Sequence, residues 1–208
     1  MATIPYKKIL YVKKLYYKDL FSMEKVAEDL GVSMSALVYF MRNYDLKRRT
    51  PRENEKIKFA KKPLSFNKQK LNTPYLKELA AIGIMLYWAE GYKGDEFNCT
   101  VDFANSDPLM IKLFVKFFRL IYKPNEKKMR IYLYCYSNQN IKNLINFWSK
   151  LTKIPRGQFL KPYVRSDFRE GGRKMKYGLI HIRYHDKKLL IDIKSMIESY
   201  VFKYAPIV

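Results

Sequence analysis

Two groups of residues in this chain have the types and spacing to do chemistry. The first is a single acid at the end of an apolar run, Ala80-Ala81-Ile82-Gly83-Ile84-Met85-Leu86-Tyr87-Trp88-Ala89-Glu90-Gly91, with Lys93 just beyond it. A carboxylate at a helix C-terminus faces the negative end of the macrodipole, so Glu90 needs a compensating partner, and a metal ion would be one. A solvated helix end is the plainer reading of the same residues. The second group is a set of cations interleaved with aromatic rings: Arg130, Tyr132 and Tyr134; Lys161, Tyr163 and Arg165; His181 and Arg183. These side chains suit phosphate oxygens and base edges. Lys93, Asp102 and Lys112 are conceivable further contributors beside Glu90. His181 and His185 stand four apart, a metal spacing on a helix but not across a strand end. Cys99 and Cys135 are the only cysteines and form no CxxC pair, which argues against a disulfide framework and a cysteine zinc site.

These groups need elements to position them. Within about 97–104, 129–136, 159–165 and 177–184 apolar and polar residues alternate with the period of a strand. One face takes Cys99, Val101 and Phe103; Met129, Ile131, Leu133 and Cys135; Leu160, Pro162 and Val164; Ile180 and Ile182. The other takes Asn98, Thr100 and Asp102 and the Arg, Lys, Tyr and His residues above. Alternation alone follows from any sheet with one wet side. The choice of polar residues, without a glutamate among them, is what points to nucleic acid. Arg173 and Lys174, in the basic segment 169–176, extend that surface. Helical periodicity covers about 75–90, 107–122, 140–153 and 186–203, and Ser106-Asp107-Pro108 marks one helix start.

The whole chain shares the charge bias. It has 208 residues, with 41 Lys plus Arg against 19 Asp plus Glu, a formal net charge of +22. Such a field attracts polyanions and releases their counterions. A hydrophobic content of 48% is enough for a core, so disorder is excluded as the main state. The opening MATIPYKKILYVKKLYY is broken by lysines, and the apolar stretch 82–89 is too short to span a bilayer. A soluble, cytoplasmic, nucleoid-associated protein is expected.

Residues 1–50 read as helical with a marked break at 31–33. In MEKVAEDLGVSMSALVYFMRNY, Ala27 is small where a second helix crosses, Gly31 supplies the turn, and Ser33 caps the next helix. Val26, Leu30, Val32, Leu37 and Met41 supply the contacts between the helices. This spacing fits a helix-turn-helix, whose second helix would present Ser35, Val38, Tyr39 and Arg42 to a major groove. An ordinary helical hairpin shares the pattern. Lys47, Arg48 and Arg49 follow and suit phosphate contact. Residues 51–74, polar, basic and proline-bearing, are expected to be a linker, and 75–208 a second domain.

The apolar helix closing on Glu90-Gly91 resembles the LAGLIDADG motif, and the segments that follow, FNCTVDFANSD, the tyrosine-rich strand and YGLIHIRYHDKKLLIDI, keep that order over about 75–203. With the amino-terminal part, the chain resembles a group of prokaryotic proteins that join a helix-turn-helix to a LAGLIDADG-like homing-endonuclease domain. The resemblance implies an α+β fold in which a saddle-shaped mixed sheet straddles DNA. One motif per chain implies a homodimer with motif helices packed at its centre. It also implies Glu90 as the catalytic acid and metal ligand, holding Mg²⁺ beside a scissile phosphate. Met85, Tyr87 and Trp88 are bulkier than the motif's usual residues. Sporulation regulators of Gram-positive bacteria look like the same fold and bind DNA without cutting it. The expected partners are therefore double-stranded DNA and a second copy of the chain, with neither a membrane nor a small-molecule substrate. Cutting with Mg²⁺ and non-catalytic transcription regulation both stay open. RNA binding through the tyrosine-rich face is a third reading, since rings stack on unpaired bases.

Overall fold

Capping residues and turn glycines divide the chain into its elements. In the computed structural model, which describes residues 4–94, 98–166 and 175–205, it forms two compact units, Met1–Pro63 and Leu64–Val208. In the first unit α1 (Ile9–Lys13) lies between short 3-10 and π turns. It is followed by α2 (Met23–Leu30), α3 (Met34–Asn43) and α4 (Pro51–Lys61). Ser22 and Ser33 cap α2 and α3, each accepting from a backbone N–H at 3.2 Å. Gly31 ends α2 in the left-handed region, φ 64°, although a Cβ there would meet nothing within 4 Å; the backbone angle, not space, asks for glycine. Val12, Leu15, Tyr16, Val26, Ala27, Leu37, Phe40 and Met41 form the core between these helices.

The expected linker is not irregular. Its first half is α4, begun by a capping box in which Thr50 and Glu53 exchange hydrogen bonds and by Pro51 at the first helical position. Lys61 returns to the carbonyls of Asp19 and Leu20. The second half belongs to the other unit: Asn67 and Gln69 N–H donate to the Tyr122 and Ile121 carbonyls, and the Ser65 hydroxyl donates to Asp186 at 2.5 Å.

The second unit is α+β. Helices α5 (Pro74–Glu90), α6 (Pro108–Phe117, continued by a π turn to Tyr122), α7 (Ile141–Thr152) and α8 (Lys187–Tyr204) accompany four strands. The strands are β1 (Thr100–Asn105), β2 (Met129–Tyr136), β3 (Tyr163–Arg165) and β4 (Leu179–His185). Their order is β1-β4-β2-β3, with β4 antiparallel to β1 and β2, and β3 parallel to β2. The apolar faces of β1, β2 and β4 pack with all four helices in one core that includes Phe103, Phe114, Phe117, Ile131, Trp148, Ile182 and Ile193. The expected alternation holds in those three strands. It does not hold in β3, which is three residues long and exposed throughout; Val164, expected inward, is on the surface, and Lys161 and Pro162 precede the strand. Unlike the edge strand β1, β3 sends no residue into the core.

Gly83 sets how closely α5 approaches α6. A Cβ at Gly83 would lie 2.0–2.5 Å from three atoms of the Phe117 ring. The small-residue face of α5 (Ala80, Gly83) is thus spent on the chain's own core, with Ile84 and Tyr87 beside it. Away from that face Ile82 and Trp88 are exposed, Trp88 at 46%.

Candidate nucleic-acid interface

Most of the strand residues singled out for chemistry meet on one face of the sheet, and strand register puts them in rows. Thr100 lies beside His185; Asp102 beside Arg183, which lies beside Arg130; Ala104 beside His181, which lies beside Tyr132; Tyr134 beside Tyr163. Glu90, Tyr92, Asp102, Lys128, Arg130, Tyr132, His181, Arg183 and His185 line one open concavity of about 820 Å³.

Glu90 reaches that concavity because the chain leaves α5 abruptly. Gly91 bridges to Phe103, and the Tyr92 N–H donates to the Asp102 carbonyl at 2.8 Å, so the helix end is stitched to the edge of β1. A Cβ at Gly91 would lie 2.5 Å from the Tyr87 carbonyl oxygen, which explains the glycine after the acid. The Tyr87 hydroxyl donates to the Tyr92 carbonyl at 2.9 Å, and burial pushes its pKa well above the usual range for a phenol. Glu90 itself is exposed. Lys93 does not join it: its ammonium donates to the Trp88 carbonyl at 2.5 Å, a favourable place for a cation at a helix C-terminus. Lys112 is an exposed residue of α6, in the helical layer, and is not part of the concavity.

Asp102 is the residue whose part the sequence conceals most. It lies on the wet face yet is only 6% exposed. One carboxylate oxygen faces His181 Nδ1 at 2.8 Å and the other accepts from Arg183 Nε at 2.6 Å. The Arg183 guanidinium lies over the Tyr132 ring, 4.3 Å from its centre. Partial burial works against the Arg183 charge, but Asp102 outweighs that loss and the net shift is upward, toward firmer protonation. His181 also packs on Tyr134 at 4.8 Å, and Tyr134 on Tyr163 at 5.3 Å, so three rings run in a line across β4, β2 and β3. Arg165 lies 5.9 Å over Tyr136 at the edge. The exposed Arg130 folds back, its Nη1 donating to the Lys127 and Met129 carbonyls, both at 2.7 Å. Lys161 is exposed too, but it lines a separate groove beside α7. Arg173 and Lys174 lie outside the described residues.

In the first unit Ser35, Tyr39 and Arg42 are exposed on α3, with the Arg42 guanidinium 5.9 Å over the Tyr39 ring. Lys47 and Arg48 are exposed; Arg49 is not their equal. Its guanidinium stacks 4.0 Å over Tyr16 and donates to the Phe21 carbonyl, and its backbone N–H donates to the Tyr16 hydroxyl at 2.8 Å. Arg49, half-buried, is thus tied into the first unit, whereas Lys47 and Arg48 are exposed.

Among the described residues no group of three or more His, Cys, Asp or Glu could hold an ion. Among the described residues Glu90 and Asp102 are the carboxylates lining the concavity, and both Asp102 oxygens are engaged by His181 and Arg183. Mg²⁺ binds through one or two carboxylates plus phosphate oxygens, so Glu90 would hold it together with the phosphate of a bound duplex. No helix of the described residues is long and apolar enough to cross a membrane. No protein-family model, curated protein or solved structure matches this chain.

Proposed function

We propose that this chain binds a specific site in double-stranded DNA, as a homodimer, with α3 in a major groove and the basic, ring-bearing face of the sheet against the duplex. The observation that carries the reading is that face: Arg130, Tyr132, Tyr134, Tyr163, His181 and Arg183 share one side of a sheet whose other side is core. Two helices broken by a left-handed Gly31 and a Ser33 cap agree with a helix-turn-helix, with Ser35, Tyr39 and Arg42 on its groove-facing side. The formal charge of +22 supplies the sequence-independent part of the affinity. The homodimer is supported by the exposed Ile82 and Trp88 of α5, which a second copy would cover. A DNA-bound protein of this kind would sit on the nucleoid.

A second reading, Mg²⁺-dependent cutting, rests on the exposed Glu90 carboxylate opening into the same concavity. Non-catalytic regulation of transcription is the alternative, in which the same face binds duplex and Glu90 takes no part in chemistry. The test is incubation with a pool of duplex DNA that includes the surrounding genomic sequence, with Mg²⁺ or with EDTA. Retarded, intact DNA in both conditions supports the binder. Metal-dependent double-strand breaks that vanish in Glu90→Gln, while retardation persists, establish the nuclease. Preference for single-stranded RNA over duplex in competition overturns the duplex reading.

A further inference from the structure

A buried carboxylate on a surface built to meet phosphates opposes that surface's purpose, since its charge repels the ligand and its burial has a desolvation cost. Asp102 is therefore informative. It is 6% exposed and bonded on both oxygens, to Arg183 Nε at 2.6 Å and His181 Nδ1 at 2.8 Å, and the Arg183 guanidinium is also stacked on Tyr132 at 4.3 Å. Stacking fixes the plane of the guanidinium and the Nε bond fixes its rotation. Both Nη nitrogens remain outside the Asp102 pair, in a concavity shared with Arg130 and Lys128.

The pair is close to neutral as a unit. A neutralised, immobilised arginine is a poor counterion for a phosphate, which asks for charge and tolerates loose geometry. It is a good fork for a planar acceptor pair, which asks for geometry and gains nothing from net charge. In duplex DNA that acceptor pair is the O6 and N7 edge of guanine in the major groove.

Resting on the duplex-binding reading above, we propose that Arg183 reads a guanine through its Nη fork and that Asp102 is its positioning residue. Arg130, exposed and paired with no carboxylate among the described residues, takes a phosphate instead. The surface thus divides its labour between cations that supply affinity and one locked arginine that supplies sequence.

The division can be measured on the full-length chain by selecting a randomised duplex pool with the wild type. Preference at each position and the salt dependence of binding are then compared in Asp102→Asn, Arg183→Lys, Arg183→Gln and Arg130→Gln. The expected wild-type result is an enriched site containing a required guanine. Arg183→Lys keeps the charge and should lose preference for that guanine by roughly 5- to 150-fold, the range a bidentate pair commands. Asp102→Asn should lose the same preference while non-specific binding gains, its salt slope steepening by up to about 0.9 as Arg183 becomes an unpaired cation. A merely structural role for Asp102 would weaken specific and non-specific binding together, and that result overturns the assignment. Arg130→Gln should make the slope shallower by about 0.9 with the preference intact. If Arg183→Gln does the same, Arg183 is a phosphate contact and the proposal fails. If Asp102→Asn does not fold, the Arg183 variants decide alone. An unchanged guanine preference in Arg183→Lys overturns the fork and leaves duplex binding standing. A wild type that retains no duplex overturns the binding reading, and the fork with it.

Discussion

Replacing Gly83 by alanine tests where the small-residue face of α5 is used. On an isolated helix the change would stabilise by about 1 kcal/mol, because alanine is the better helix former. Here the new methyl would lie 2.0 Å from Phe117 Cγ and 2.2 and 2.5 Å from its neighbours. Ordinary carbon contact is about 3.5–4.0 Å, so the ring would have to retreat by roughly 1.5 Å. It has little room to do so, being fully buried with Phe114 at 5.8 Å and Tyr122 at 5.6 Å. Overpacking typically costs about 1–3 kcal/mol, and a locked ring belongs at the upper end. The net destabilisation is then about 2 kcal/mol, or a lowering of Tm by about 4–8 °C for a unit of this size. Calorimetry resolves such a shift, with the transition of the Leu64–Val208 unit as the readout. Adding Phe117→Leu should restore part of the loss, with a coupling of about 0.5–3 kcal/mol between the two positions. Unchanged or raised stability in Gly83→Ala, with a change only in self-association, would refute the reasoning. The small residues would then face a partner copy.

Three further outcomes are expected. Arg49→Gln should destabilise the first unit by about 1–3 kcal/mol through lost stacking on Tyr16 and the lost bond to the Phe21 carbonyl; Lys47→Gln should leave the melt alone and weaken DNA retention, and equal melts for both would contradict this. Tyr39→Ala with Arg42→Ala should abolish site preference without lowering Tm by more than a degree or two, checked by retardation and calorimetry; retained preference removes α3 from the interface. Burial pushes the Asp186 carboxyl up, but the Ser65 hydroxyl, the Leu189 and Lys188 N–H groups and Lys128 outweigh it and hold it below the ordinary range. Its contribution is therefore complete above the unfolded value of about pH 4 and is lost as pH falls through the lower folded value. Tm measured from neutral to about pH 2 should fall less steeply in Asp186→Asn than in the wild type, and parallel curves would contradict the assignment.

The parts of the fold legible in the sequence are those marked locally. The helix expected over 75–90 is Pro74–Glu90, because Thr73 and Pro74 announce its start and the acid–glycine pair its end. The alternation of β2 and β4 was readable because each has a core on one side only. The helix Pro51–Lys61 escaped a search for apolar period because it buries no residue and has no stripe; the Thr50-x-x-Glu53 box at its start was the available signal. Lys47, Arg48 and Arg49 look alike in sequence, and only the position of Tyr16, more than thirty residues earlier, separates Arg49 from the others. The part of the site left unread was Asp102. Its alternation placed it on the polar face, but its partners come from a strand about eighty residues later.

The strand order has a consequence for how the chain is made. β4 is the last strand in sequence but lies between β1 and β2, which do not pair with each other. As the chain leaves the ribosome, β1 and β2 wait as unjoined edges until β4 arrives to bridge them, and such distant pairings form slowly. The helical first unit waits less, because contacts such as Tyr16–Arg49 and Asp19–Lys61 close within its own residues. A nascent chain therefore carries a finished α2–α3 pair before it owns any of the sheet's polar face, and β4 brings His181 and Arg183 with it. Newly begun chains would hold nucleic acid loosely through charge and α3 alone, and gain the sheet's contacts only near the end of synthesis.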